Sequence, residues 1–179
     1  MIWLSNSTLV RLRDRLRAQG AKASLAVPSP DMTADKLELI GITAEYGPIC
    51  DAMYLMMSAD GKVGRDEREV LKGALRNLSG EAIRGAHIEA MLDRSAASVA
   101  ENGRENTMAT VIAALGGDRS RAEVAFVLAA AIAFADNAIA DEENETLNAF
   151  AEGLGIDESR ANVLLDEVEA DLAKEAPSS

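Results

Sequence analysis

Residues 59–71 read ADGKVGRDEREVL, and residues 135–147 read ADNAIADEENETL. The two stretches align without a gap, and their acidic, apolar and terminal leucine positions coincide. Each copy follows an apolar helical segment and precedes an amphipathic one, which ends near Leu78 in the first copy and Leu154 in the second. A helix–turn–helix unit that occurs twice in one chain predicts an all-α multihelical bundle with an internal pseudo-twofold repeat.

The composition of the rest of the chain also favours helices. Hydrophobic residues make up 48% of the 179 residues, whereas aromatic residues make up only 3%. Ala and Leu supply most of the apolar count, while strands prefer β-branched and aromatic residues. With breaks at glycines and at Asn137, the pattern predicts bundle helices over 36–59, 65–78, 80–97, 104–115, 119–136, 141–153 and 157–173.

A separate basic helix is predicted before the bundle. Leu9, Leu12 and Leu16 recur at helical spacing, and residues 1–22 contain five Lys or Arg against one Asp. The basic face either packs against the acidic body or contacts anionic lipid or a partner. We favour packing, because amphipathic surface helices are the norm in globular proteins. The predicted divisions are a basic amphipathic helix (1–22), a Pro-containing linker (23–35), a helical domain (36–174) and a disordered tail (175–179).

The charge and the scarcity of Cys and His exclude several classes of function. The formal net charge is -12, and such an acidic body repels phosphate, so we expect no direct nucleic-acid binding. One Cys and one His cannot form a disulfide framework, a zinc finger or a CxxC redox site. We interpret Cys50 as a small buried hydrophobic residue and His87 as a structural residue without a ligand-like neighbour.

The sequence predicts a soluble, cytoplasmic protein. The longest apolar run covers residues 124–135, whereas a transmembrane helix needs about 18 or more such residues. The basic N-terminal stretch has no apolar segment beside it, so it does not resemble a secretory signal. A peripheral position at the inner face of the membrane stays open.

The repeated turn has a purely structural interpretation. Gly61 and Asn137 occupy the same position, and these two residue types most readily take the left-handed conformation that ends a helix. Carboxylates follow in the first turn of the next helix, where they interact favourably with the helix dipole. Glu67 and Glu143 stand near the third helical position, from which a Glu can accept a free backbone N–H. On this interpretation the acids are helix caps: Asp66, Glu67, Asp141, Glu142 and Glu143.

The alternative interpretation is a metal site. Asp60 and Asp136 stand at predicted helix C-termini, where the dipole disfavours negative charge, so capping does not explain them. Each is followed seven residues later by Glu67 or Glu143. The spacing does not fit an EF-hand loop. Two copies that meet across a pseudo-twofold would nevertheless supply four carboxylates for a hard cation such as Ca²⁺, Mg²⁺ or Mn²⁺.

The repeated pattern A-D-[G/N]-x-[V/I]-x-x-[D/E]-E-x-E-x-L resembles that of the tellurite-resistance TerB-like family. Relatives of this family include the N-terminal domain of membrane-anchored DnaJ-type co-chaperones. The resemblance covers about residues 36–170, and the second half, with its closing LGID step, is the better match. The chain departs from the pattern at Asn137, which replaces the usual Gly, and at Ala140, which stands where an N-cap such as Ser is common.

The resemblance implies an all-α bundle of about seven helices and an acidic metal-binding cluster. By position in the motif, it implies Asp60, Glu67, Asp136 and Glu143 as metal ligands, with Asp66 and Glu142 as supporting or capping acids. It also implies a role in resistance to tellurite and other stress, beside an integral membrane partner at the cytoplasmic face. A homodimer is kept as an alternative assembly.

We therefore expect a non-catalytic stress-resistance protein whose only cofactor is a divalent cation. No P-loop, nucleophile elbow or His-containing metal motif is present in the sequence. The main alternative is a protein-interaction or adaptor module in which the acidic turns are only helix caps. An enzyme that uses paired acids for hydrolysis is the third hypothesis, and we rank it last.

Overall fold

The computed structural model describes residues 6–18, 33–59, 61, 63–134 and 141–175. The predictions for Asp60, Asp136, Asn137, most of the linker and the last four residues lie outside this part of the chain. The described residues form helices and no strand, which confirms the all-α prediction; the internal pseudo-twofold stays a prediction. The helices are α1 (Asn6–Ala18), α2 (Ala34–Met57), α3 (Arg65–Leu78), α4 (Gly85–Leu115), α5 (Arg119–Ala133), α6 (Asp141–Gly153) and α7 (Glu158–Glu175).

Helices α3 and α6 have the predicted bounds. Helix α4 covers most of two separately predicted helices, 80–97 and 104–115. It begins at Gly85 instead of residue 80, because Gly80 and Glu81 have positive φ angles of 65° and 63° and form a turn. The predicted break near residue 103 is confined to Gly103, which has a φ of 79°, and the backbone is helical on both sides of it. Only glycine takes this conformation without steric cost, so the chain bends there.

The core is built around α5, which packs against α1, α2, α4, α6 and α7. All of residues 122–133 are buried: Ala122, Glu123 and then residues 124–133, which belong to the apolar run predicted to be buried on all sides. Helix α5 packs against the second half of α2, where all of residues 49–57 except Asp51 are buried, and α4 packs along α2. Burial of the apolar faces of these helices favours folding.

The first half of α2 is a different environment, since none of residues 34–46 is buried. Pro48 lies inside this helix and has no N–H to donate to the carbonyl of Ala44. Arg121 of α5 compensates: its Nη2 donates to the Ala44 oxygen at 3.1 Å and also to the Glu45 oxygen. A guanidinium from the core helix thus holds the middle of α2 where its own hydrogen-bond ladder is interrupted.

Helix α1 docks on the bundle through an apolar face and ion pairs. Leu9 and Leu12 are buried, and α1 packs against α3 and α5. Arg11 pairs with Asp171 of α7 at 2.9 Å, and the Thr8 hydroxyl donates to the same carboxylate at 2.5 Å. These contacts agree with the packing interpretation of the basic helix. No helix among the described residues combines the length and the apolar character that crossing a membrane requires.

Candidate functional site

The first acidic turn is stabilised by a helix cap. Gly61 has a φ of 146°, which favours glycine, and helix α2 has already ended at Met57 with Ser58 as its C-cap. Gly64 is the N-cap of α3, and its N–H donates to the Oε2 atom of Glu67 at 2.5 Å. Asp66, also in the first turn, is exposed. The Glu67 carboxylate therefore satisfies one of the free N–H groups at the start of α3.

The second acidic stretch includes the start of α6, whose first turn is also acidic. Asp141, Glu142 and Glu143 are the first three residues of α6, where their charges are favoured by the positive end of the helix dipole. Asp141 and Glu142 are exposed, and Glu143 is half-buried. The capping interpretation therefore fits the position of all three acids.

The predicted four-carboxylate site cannot be assembled from the described part of the chain. Among those residues, neither Glu67 nor Glu143 belongs to a group of three potential ligands whose atoms lie within 4.8 Å of one another. Their predicted partners Asp60 and Asp136 lie outside the described residues. The site at the turns therefore stays a prediction.

A different group of potential metal ligands forms where α2 and α4 begin. Thr33 caps α2 by accepting the N–H of Lys36 at 3.4 Å, which places Asp35 in the first turn. Arg84 is the N-cap residue of α4, and it places His87 in the first turn of that helix. We call the resulting group the open cluster; it consists of Asp35, Glu38, Arg84 and His87.

The geometry of the open cluster centres on one nitrogen atom. The Arg84 Nη2 atom donates to Asp35 Oδ1 and to Glu38 Oε2, the latter at 2.6 Å. The same nitrogen lies 3.3 Å from His87 Nε2, which in turn lies 3.9 Å from Asp35 Oδ2. The hydrogen bond and the charge of Arg84 hold the pKa of Asp35 below its usual value. Arg84 is thus the cation of this cluster.

His87 is the buried member of the open cluster. Its side chain is only 6% exposed, whereas those of Asp35 and Glu38 are 67% and 45% exposed. Its Nδ1 atom is buried and has no hydrogen-bond partner among the described residues. The imidazole is thus held by packing and directs Nε2 towards the two carboxylates.

The sequence interpretation of His87 missed this group. His87 has no ligand-like neighbour in sequence, and Asp35 is far from it along the chain. The only available signals were an acidic pair three residues apart at a predicted helix start and an Arg three residues before the His. Neither signal shows that the starts of α2 and α4 lie together, because that contact depends on the packing of the whole bundle.

A second charge group, the closed cluster, lies between α1, α5 and α7. Its centre is Glu123 of α5, whose side chain is 8% exposed, and Arg160 of α7 donates to both carboxylate oxygens at 2.6 and 3.0 Å. Arg119 adds a contact at 3.3 Å and Arg15 of α1 one at 3.6 Å. The hydrogen bonds from Arg160 are the main cause that lowers the pKa of Glu123.

Cys50 gives no nucleophilic site. The residue is fully buried on α2, and burial raises the pKa of its thiol to about 12. Since the thiolate is the reactive form of cysteine, the side chain behaves at neutral pH as the small hydrophobic residue that the sequence predicted.

The chain matches no protein-family model, no curated protein and no solved structure. The resemblance to the TerB-like family stays a prediction that rests on the two acidic turns.

Proposed function

We propose that this chain is a non-catalytic stress-resistance protein of the TerB-like type, with a carboxylate cluster at its acidic turns that binds a divalent cation. We further propose that it works in the cytoplasm, beside an integral membrane partner at the inner face of the membrane. The proposal rests on the repeated turn and on the helices that flank both copies.

The observation that carries the proposal is a common offset between the two copies. The sequence copies start at Ala59 and Ala135, which are 76 residues apart. The same offset separates the end of α2 at Met57 from the end of α5 at Ala133. It also separates the first residues of α3 and α6, which are residues 65 and 141. Each copy therefore joins the buried apolar end of one helix to a helix with an acidic first turn.

Calorimetry tests the metal part of this proposal. Chelator-treated full-length protein is titrated with Ca²⁺, Mg²⁺, Mn²⁺ and Zn²⁺, and the titrations are repeated on the Asp60→Asn, Asp136→Asn double variant. We expect one of the hard cations, Ca²⁺, Mg²⁺ or Mn²⁺, to bind the wild type and to bind the double variant more weakly. Binding of those three ions no tighter than millimolar would exclude the carboxylate site, and binding that survives the double substitution would exclude these ligands.

A second candidate function is an adaptor module in which the acidic turns are only helix caps. The hydrogen bond from the Gly64 N–H to Glu67 specifically favours this candidate, because it gives the carboxylate a structural partner. On this view the acidic turns stabilise α3 and α6, and the partner is bound elsewhere on the bundle.

A matched pair of substitutions at Glu67 distinguishes the two candidates. Glu67→Gln keeps an acceptor for the Gly64 N–H but removes the charge, whereas Glu67→Ala removes both. If the residue is only a cap, the Gln variant keeps wild-type stability and the Ala variant loses about 0.3–1.5 kcal/mol of unfolding free energy. If Glu67 is also a ligand, the Gln variant keeps its stability without metal but loses cation affinity.

A further inference from the structure

We propose that Asp35, Glu38 and His87 form a binding site for a divalent transition metal of the zinc class, in which the Arg84 guanidinium takes the place of the ion. The proposal goes beyond the function of the acidic turns, because it uses different residues at the starts of α2 and α4.

The first argument is the convergence of three acceptors on one point. Ligand atoms of Asp35, Glu38 and His87 all lie within 4.8 Å of one another. The Arg84 Nη2 atom contacts all three residues, yet a guanidinium NH₂ group carries only two hydrogens. One acceptor is therefore left without a well-aligned donor. A divalent ion at the same point can bond to all three acceptors at once.

The second argument comes from His87. A guanidinium can only donate, so a hydrogen bond from Arg84 to His87 Nε2, across their distance of 3.3 Å, is compatible with the tautomer that has its lone pair on Nε2. This is the state in which imidazole ligates a metal. The side chain is only 6% exposed, and its Nε2 lies 3.3 Å from the Arg84 Nη2 atom and 3.9 Å from Asp35 Oδ2. An imidazole nitrogen with two carboxylates is a ligand set that Zn²⁺ accepts, with water in the fourth position.

The third argument concerns charge and access. Two carboxylates paired with one guanidinium leave an excess of one negative charge, whereas a divalent ion neutralises both. The Arg84 side chain is 53% exposed, so it can rotate into water when an ion enters. Asp35 and Glu38 have exposed side chains, so their carboxylate oxygens can move to the zinc–oxygen distance of about 2.0–2.2 Å.

Zinc calorimetry on the chelator-treated full-length protein tests the site, with Co²⁺ absorption as a spectroscopic readout of tetrahedral coordination. We expect the wild type to bind Zn²⁺ and Arg84→Gln to bind it more tightly, because the competing cation is gone. His87→Gln should weaken binding by at least the roughly 10–100-fold that loss of an outer partner of a ligand costs. Glu38→Gln, on an exposed side chain, should weaken it as well and guards against a folding defect in the His87 variant.

The Asp60→Asn, Asp136→Asn double variant is the control that separates this site from the proposed function. It should keep the zinc affinity of the wild type, whatever happens at the acidic turns. Millimolar or weaker Zn²⁺ binding by both the wild type and Arg84→Gln would overturn the proposal. So would Zn²⁺ binding that Glu38→Gln and a folded His87→Gln variant leave unchanged, since the ion would then lie elsewhere.

Discussion

The closed and open clusters have opposite ratios of acid to base. In the closed cluster one buried carboxylate, Glu123, is in contact with Arg160, Arg119 and Arg15. In the open cluster one guanidinium, Arg84, is shared by two exposed carboxylates and an imidazole. The first arrangement has more donors than its acceptor needs, and the second has more acceptors than its donor can satisfy.

This difference separates a structural group from a group suited to ligand exchange. A buried carboxylate with several arginines is strongly destabilised when its main partner is removed, because the charge cannot be rehydrated. Exposed carboxylates regain water when their partner leaves, so an exchange of cations costs little. We therefore expect substitutions in the closed cluster to change stability, and substitutions in the open cluster to change ligand binding.

The largest effect is expected from Arg160→Met in the closed cluster. This substitution removes both hydrogen bonds from α7 to Glu123, and we expect it to lower the unfolding free energy by about 1.5–3 kcal/mol. Urea denaturation measures the change. The matched control is Arg119→Met, which removes a longer contact from a side chain that is 78% exposed. Equal losses in the two variants would contradict the view that Arg160 is the main partner.

The same carboxylate should make stability depend on pH. The pKa of Glu123 is lowered from 4.5, first because Arg160 donates hydrogen bonds to it. A carboxyl group whose folded pKa is lowered contributes stability above its unfolded pKa and loses that contribution as the pH falls through the folded value. The difference in unfolding free energy between wild type and Arg160→Met should therefore shrink as the pH falls below 4.5. A difference that stays constant from about pH 6 to about pH 3 would exclude this linkage.

A smaller loss of unfolding free energy is expected from substitution of Arg121. This residue lies on α5, as Glu123 does, but it donates to backbone carbonyls of α2, the helix that carries Asp35 and Glu38. Arg121→Met leaves the Ala44 carbonyl without its donor, because Pro48 supplies no N–H. We expect a loss of about 0.5–1.5 kcal/mol in urea denaturation. In a Pro48→Ala background the loss should be smaller, since the substituted residue has a backbone N–H that can donate to the Ala44 carbonyl. An equal loss in both backgrounds would show that Arg121 acts by some other contact.

The sequence predicts the helical fold well because the relevant signals are local. The first turns of α3 and α6 carry acids, and α5 contains a continuous apolar run that begins at Val124. Neither signal requires knowledge of the tertiary structure. The start of α4 was predicted wrongly, because Glu81 takes a positive φ that its residue type does not announce. That φ is stabilised by a hydrogen bond from the Glu81 N–H to the Arg76 oxygen.

The open cluster shows where prediction from sequence ends. His87 gains its neighbours only when the start of α4 packs beside the start of α2, and no local pattern reports that contact. The closed cluster was predictable in part, since a basic helix in an acidic chain indicates charge pairing. Its specific partners were not predictable, because nothing in the sequence distinguishes Glu123 from the rest of the thirty acidic residues.

The smallest effect is expected from Arg84→Gln in the absence of metal, and it completes the contrast between the clusters. The carboxylates of Asp35 and Glu38 are exposed, so water and salt replace the lost guanidinium. We expect the urea midpoint of metal-free protein to match the wild type within error, although Arg84 contacts more acceptors than Arg160 does. A loss of unfolding free energy as large as that of Arg160→Met would show that the open cluster stabilises the packing of α2 against α4. It would also remove the reason to expect that a metal ion can exchange for the guanidinium.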